Sequence, residues 1–445
     1  MKKLLSLALA VLMLAVMLPV TAMAEENYVM ISGITGVENE KYDSFEAAYN
    51  AIKPKLEALC ESDALGQGAT TAEKFDALFF NRDENGNATL TYTISGNITY
   101  DESTLNNLLT FGRRASHYGN DRHLLNFKFI GATGRDSDTL TVKSNITLPY
   151  EWWGEKTTTS ISFENLTITG PAPNGLYPTQ AYFDGINFKV NNCKLEGIKI
   201  YNCSNVGGSY TITNNIFDGT NAPQNAYAIH LQGNETAPLT INISNNTISG
   251  YDRGINIDQK TAAATISNNN ISVKDTGRSC IQLTRLASTK VENNTMKLTG
   301  GNAITLHEEL LKCAKPEITV SGNTINGTGY LIYDDATANN KSFTNDNLTL
   351  TITEDNTVAK TVDITQGVKG STKYGMSEIV KTKVENNVVP GGSTGGTIVI
   401  ITPTEDTPKT EPEKNPATGA NDVVAAAVAL MAVSALGAAV LTRKK

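Results

Sequence analysis

Six short segments in the middle of this chain carry polar side chains at alternate positions: "GIKIY", "AIHLQ", "GINID", "CIQLT", "AITLH" and "YLIYD". Their outward residues fall into two rows. Lys199, His230, Asn256, Gln282 and Thr305 make the first; Tyr201, Gln232, Asp258, Thr284, His307 and Asp334 make the second. Arg253, Arg278 and Arg285 sit in the adjoining turns. Amides, hydroxyls and charges repeated along a line can follow a polysaccharide. The candidate binding face is therefore His230, Arg253, Asn256, Asp258, Arg278, Gln282 and His307. Its two histidines read as exposed surface residues. The adjacent pair Asp334-Asp335 in "IYDDA" reads as a strand end entering a turn.

These rows need a scaffold that repeats. Seven phrases supply it: "FENLTITG" (163–170), "VNNCKLEG" (190–197), "ITNNIFDG" (212–219), "ISNNTISG" (243–250), "ISNNNISV" (266–273), "VENNTMKL" (291–298) and "VSGNTING" (320–327). Their sixth positions are Ile168, Leu195, Phe217, Ile248, Ile271, Met296 and Ile325, at steps of 27, 22, 31, 23, 25 and 29 residues. A fixed phrase at variable spacing predicts coils whose loops vary while their strands stay in register. In a right-handed parallel β-helix, equivalent residues of successive coils lie about 4.8 Å apart. An asparagine at the bend between sheets tolerates the left-handed region, and its amide can reach the next coil. The expected structural ladder is Asn165, Asn192, Asn214, Asn245, Asn268 and Asn293, with Gly322 taking the same bend. A second runs through Asn215, Asn246, Asn269, Asn294 and Asn323, with Cys193 in the equivalent place. Ile198, Ile229, Ile255, Ile281, Ile304 and Leu331 are expected to point inward. So, two residues on, are Ile200, Leu231, Ile257, Leu283, Leu306 and Tyr333.

With these phrases the chain resembles the pectin-lyase-like β-helix family over roughly residues 85–365. That resemblance implies an all-β fold and carries no catalytic motif. Lyases of the fold hold Ca²⁺ in clustered carboxylates and abstract a proton with a basic side chain. Only Asp252, Asp258 and Asp275 lie near Arg253 and Arg278 for such a role. Glycosidases of the fold need paired carboxylates, and Asp334-Asp335 lacks the Gly-His-Gly and Arg-x-Lys phrases that the resemblance requires. The expectation is a noncatalytic, adhesin-like protein binding glycans or host macromolecules. No cofactor and no metal is expected. The alternative is an anchored polysaccharide lyase or glycoside hydrolase, and Ca²⁺ belongs to that alternative alone.

Both ends carry processing signals. Lys2 and Lys3, an apolar run from Leu4 to Leu18, and Ala22-Met23-Ala24 read as a signal peptide over residues 1–24. Residues 25–84 read as a strand and helical cap, with Asp43 as N-cap and Pro54 kinking the helix. Residues 85–389 are the solenoid body. Residues 390–414, rich in Gly, Thr, Pro and charge, read as a disordered spacer. Residues 415–445 resemble the cell-wall sorting signal of Gram-positive surface proteins. Asn415, Pro416, Ala417, Thr418 and Gly419 stand at the Leu-Pro-X-Thr-Gly motif, with asparagine in place of leucine. An uncharged stretch of 19 residues, Val423 to Leu441, can cross a bilayer as one hydrophobic helix, and Arg443, Lys444 and Lys445 follow. The resemblance implies that a sortase joins Thr418 to peptidoglycan outside the cell. A formal charge of −8 argues against nucleic-acid partners. Contact with the membrane is expected only through the C-terminal segment, and the body is read as a monomer. Five cysteines lack paired spacing, and most of them read as small buried hydrophobes.

Overall fold

The computed structural model describes residues 26–61, 78–79, 81–82, 87–100, 125–143, 146–147, 158–170, 175–177, 186–202, 208–233, 238–274 and 278–391. The signal segment, Asp275, nearly all of the spacer, the sorting motif and the hydrophobic stretch lie outside these residues. No described helix is long and apolar enough to cross a membrane.

Strands beginning each phrase pair in parallel into one sheet, from Ala88–Ser95 to Thr349–Ile352. The phrases stack in phase: Val190 on Ile212, then Ile243, Ile266, Val291, Val320 and Ile352. A second, larger sheet holds the remaining strands of every coil. There the sixth positions stack as expected, Leu195 through Ile325 and on to Val358. Branched and aromatic residues on the inner face fill the interior, which is why β-branched residues alternate with polar ones along each strand. The architecture is a parallel β-helix.

The two asparagine columns divide the work. Asn165, Asn192, Asn214, Asn245, Asn268 and Asn293 all have φ between 52° and 60°, and Gly322 stands at 63°. They supply the left-handed bend. Their side chains do not form the expected continuous ladder. Asn192 donates to Asn165 at 2.8 Å, but Asn214 turns to Asn191, and Asn214, Asn245, Asn268 and Asn293 are exposed. A positive φ tips the side chain out to solvent, where water competes for the amide. The hydrogen-bonded ladder is the second column. Asn215, Asn246, Asn269, Asn294 and Asn323 each donate one amide hydrogen to the next asparagine carbonyl at 2.9–3.0 Å. The other hydrogen goes to a backbone carbonyl of the preceding coil at 2.8–2.9 Å. Asn356 ends the ladder one coil later than the phrases suggest.

The third strands of the middle coils stack as expected, Ile229, Ile255, Ile281 and Ile304 in one row and Leu231, Ile257, Leu283 and Leu306 in the next, but the first and last coils differ in register. Ile200, not Ile198, stacks on Ile229. Ile332 lies beside Ile304, and Asp334 beside Leu306. A bulge between Thr299 and Asn302 shifts the last coil by one residue, so Tyr333 joins the outward row beside Thr305.

Helix α1 (Phe45–Glu61) covers the N-terminal end. Ser44, not Asp43, accepts from the Ala47 amide at 3.1 Å as its cap. The helix runs through Pro54, which is exposed, so water can satisfy the carbonyl that proline leaves unbonded. Phe45 closes an internal aromatic column, with ring centroids 5.9 Å from Tyr92 and 6.0 Å from Tyr100. Tyr28–Ser32 pairs antiparallel with Ala88–Ser95 and so covers that sheet's edge. At the other end, α2 (Asp335–Ala338) is a single turn. Beyond it, α3 (Glu378–Asn387) buries Val380 and Val384. Val388 is buried just past its end. This helix, which strand alternation alone does not suggest, covers the last coil.

Candidate functional site

The third strands present three outward columns. The first is Tyr227 beside Arg253, then Ser279, Asn302 and Tyr330. The second is Tyr201, His230, Asn256, Gln282, Thr305 and Tyr333. Lys199 is therefore not in the row with His230. A bulge after Ile257 sets Asp258 beside Arg285 and leaves Thr284 out of the third column.

Between the first two columns lies a groove of about 170 Å³. Tyr227, Arg253, Arg278 and Gln282 line it on the open side, and Thr305, His307, Tyr333, Asp335 and Lys369 on the other. Arg253 lies over the Tyr227 ring, 4.8 Å from its centroid, and donates to the Tyr227 hydroxyl at 2.9 Å. That hydroxyl donates in turn to Gln282 at 3.2 Å. Arg278 reaches Asn225 at 3.1 Å. Of the residues expected on this face, the structure brings Arg253, Arg278, Gln282 and His307 to the groove. Asn256 is buried below, accepting from Thr284 at 2.8 Å. Asp258 is held by Arg285, and burial pushes its carboxyl upward against that cation's pull.

His230 is not an exposed histidine. It packs 4.8 Å from Tyr227 and 5.1 Å from Tyr201, and its Nε2 is buried without a hydrogen bond. Burial, with Lys199 and Arg253 nearby, lowers its pKa to about 4. The folded state therefore stays neutral where the unfolded chain takes a proton. The stability this provides is present above about pH 6.5 and is lost as pH falls toward 4, by up to about 3 kcal/mol. Replacing His230 with phenylalanine should remove that loss. Urea unfolding at pH 7.5 and 4.5 should show the wild type losing more stability than the variant; equal losses would refute it.

His307 is also engaged. Its Nδ1 accepts from the Glu309 amide at 3.2 Å, and its Nε2 faces Asp335 at 3.4 Å. Asp335 is almost fully buried. It accepts from Tyr333 at 2.9 Å and Lys369 at 3.1 Å. Burial opposes its ionisation, but Tyr333, His307 and Lys369 prevail and hold its carboxyl below the usual range. Asp334 does different work, capping α2 and accepting from the Ser377 amide at 2.8 Å. The reading of "DDA" as a strand end entering a turn describes the backbone but misses this hub.

Lys369 belongs to a hairpin of Gly367–Lys369 and Thr372–Tyr374, outside the repeat. Asn302 grips the Val368 backbone, donating to its carbonyl at 2.8 Å and accepting from its amide at 3.0 Å. Gly367 lies so close to the strand that a Cβ there would stand 2.5 Å from the Tyr333 Cα. The polar faces of the last two coils are buried beneath: Asn302 is 1% exposed, Thr305 and Tyr333 4% each.

Asp252 accepts from the Asn225 amide and pairs with Lys274 at 3.6 Å, away from Asp258's partner Arg285. Among the described residues no group of three or more His, Cys, Asp or Glu is placed to hold a metal ion. Cys193 and Cys280 are buried free thiols, pushed up to about 12 by burial, and Cys313 is a half-buried one.

A family model described as a right handed beta helix region matches residues 196–389, and over that span the chain is similar to it in fold. The coils are accordingly right-handed. No curated protein and no solved structure matches the chain.

Proposed function

We propose that this chain is exported, held at a Gram-positive cell surface through residues 415–445, and binds glycans in the groove without cleaving them. One observation carries the binding: an open polar groove lined by a tyrosine, two arginines and an amide. Guanidinium, hydroxyl and amide groups held in fixed positions suit a sugar, which offers a rim of hydroxyls. The noncatalytic part is supported by His307 and Asp335. Both ring nitrogens of the one are engaged, and the other accepts from several donors, so neither stands ready to move a substrate proton.

An oligosaccharide array probed with the full chain tests this. Binding should fall at least tenfold on Tyr227→Ala, and bound oligosaccharides should be recovered at their original length. Shortened or unsaturated products would favour the lyase or hydrolase alternative, and no binding to any glycan would refute the reading. For anchoring, Thr418→Ala should move the chain from the wall fraction to membrane or medium. An unchanged wall fraction would overturn it.

A further inference from the structure

The groove is open at one end and stopped at the other. It runs from the Tyr227 hydroxyl, which bridges to Gln282, to Tyr333, Asp335 and Lys369. There the hairpin stands across it. Asn302 fastens the hairpin's Val368, and Lys369 fastens to Asp335 at 3.1 Å. The Tyr374 ring lies 5.9 Å from the Tyr333 ring, so the wall is packed as well as hydrogen-bonded. A chain lying along the columns has no path beyond it over the last two coils.

The lining of the groove carries an excess of positive charge. Three cations, Arg253, Arg278 and Lys369, line the groove with one carboxylate, Asp335, in a chain of net charge −8. The Arg253 Nε is buried and has no hydrogen-bond partner, while its Nη1 is held by Tyr227. Tyr227 and Asn225 hold the two guanidiniums in the lining, where an incoming anion would find cations already fixed in place.

We propose that the groove takes the terminal sugar of a glycan, bearing an anionic group, rather than a stretch of internal chain. The proposal rests on the glycan-binding reading above. The anionic group is a carboxylate or a sulfate ester, since a guanidinium serves either.

Titration calorimetry of the full chain tests it with four oligosaccharides of one backbone. The first ends in a carboxylated sugar, and the second is the same with that carboxyl reduced to the alcohol. The third ends in a sulfated sugar. The fourth carries its carboxylates internally and ends in neutral sugars. At least one of the first and third should bind ten times more tightly or better than the second and fourth. Which of them does so identifies the group. Arg253→Gln should erase the preference, and an unfolding midpoint unchanged within a few degrees should show that the fold is kept. Equal binding of the fourth, or equal binding of the reduced second, would overturn the proposal while leaving glycan binding intact. Failure of all four, with the array also blank, would instead remove the reading on which it rests.

Discussion

Replacing Asn269 with alanine is expected to cost about 3–6 kcal/mol. The residue is 1% exposed, so water cannot take over its bonds. Its carbonyl accepts from the Asn246 backbone amide at 3.0 Å and from the Asn246 side chain at 2.9 Å. Its own amide serves the Ile243 carbonyl at 2.9 Å. Truncation therefore leaves two buried donors and one carbonyl short of a partner, at about 1–3 kcal/mol each. The neighbour makes the control. Asn268 is exposed with φ of 55°, so Asn268→Gly keeps the bend and should cost no more than about 1 kcal/mol. Asn268→Val should cost about 1–2 kcal/mol, through backbone strain alone. Urea unfolding of the three variants orders these costs. A neutral Asn269→Ala would sink the ladder as a stabilising element.

Asp335→Ala is the other large effect. It strips the acceptor from the buried Tyr333 hydroxyl and releases Lys369 and His307 together. Breaking a buried pair costs about 3–5 kcal/mol, and the half-exposed Lys369 can rehydrate, so about 2–4 kcal/mol is expected. Asp335→Asn keeps an acceptor and should cost less. The pH dependence follows from the lowered carboxyl. A depressed folded pKa means stability that is present above the ordinary value of 3.8 and lost as pH falls below it. The wild type should therefore lose its advantage over the alanine variant only in that acid range. Hydrogen exchange of the Val368 and Lys369 amides measures the local consequence. Protection unchanged in Asp335→Ala would show that the hairpin does not depend on this carboxylate.

Residues that repeat were legible in the sequence, and residues that do not repeat were not. Ile243 and Ile266 announce their register because each coil imposes the same environment on the same position. The division between the asparagine columns was not legible. Two neighbouring asparagines look alike as letters, and only the backbone decides which amide turns inward. The last ladder member, Asn356, sits in "EDNTV", a phrase that departs from its predecessors before the asparagine. Of the groove, Arg253, Arg278, Gln282 and His307 could be named because they border a recurring strand. Tyr333 was assigned to the interior because a bulge of the preceding strand cannot be counted from spacing. Lys369 lies in a hairpin that appears once and packs through tertiary contacts, so no periodicity points to it. His230 reads as a surface histidine because its row faces outward; the tyrosines that cover it are Tyr201, which the shifted register of the first coil brings into that row, and Tyr227, three residues earlier on its own strand.

Each rung of the ladder from Asn215 to Asn323 receives from the rung before and gives to the rung after. A duplicated coil can therefore enter this series with its amides already partnered on both sides, and a lost coil lets its neighbours rejoin. Length becomes a trait that can change by whole steps of about 4.8 Å. The groove does not share that freedom, because Asn302, Asp335 and the hairpin fix it to the final coils. Descendants of such a chain could lengthen or shorten on the side away from the hairpin while keeping the same recognition site. Reach and specificity are then inherited separately.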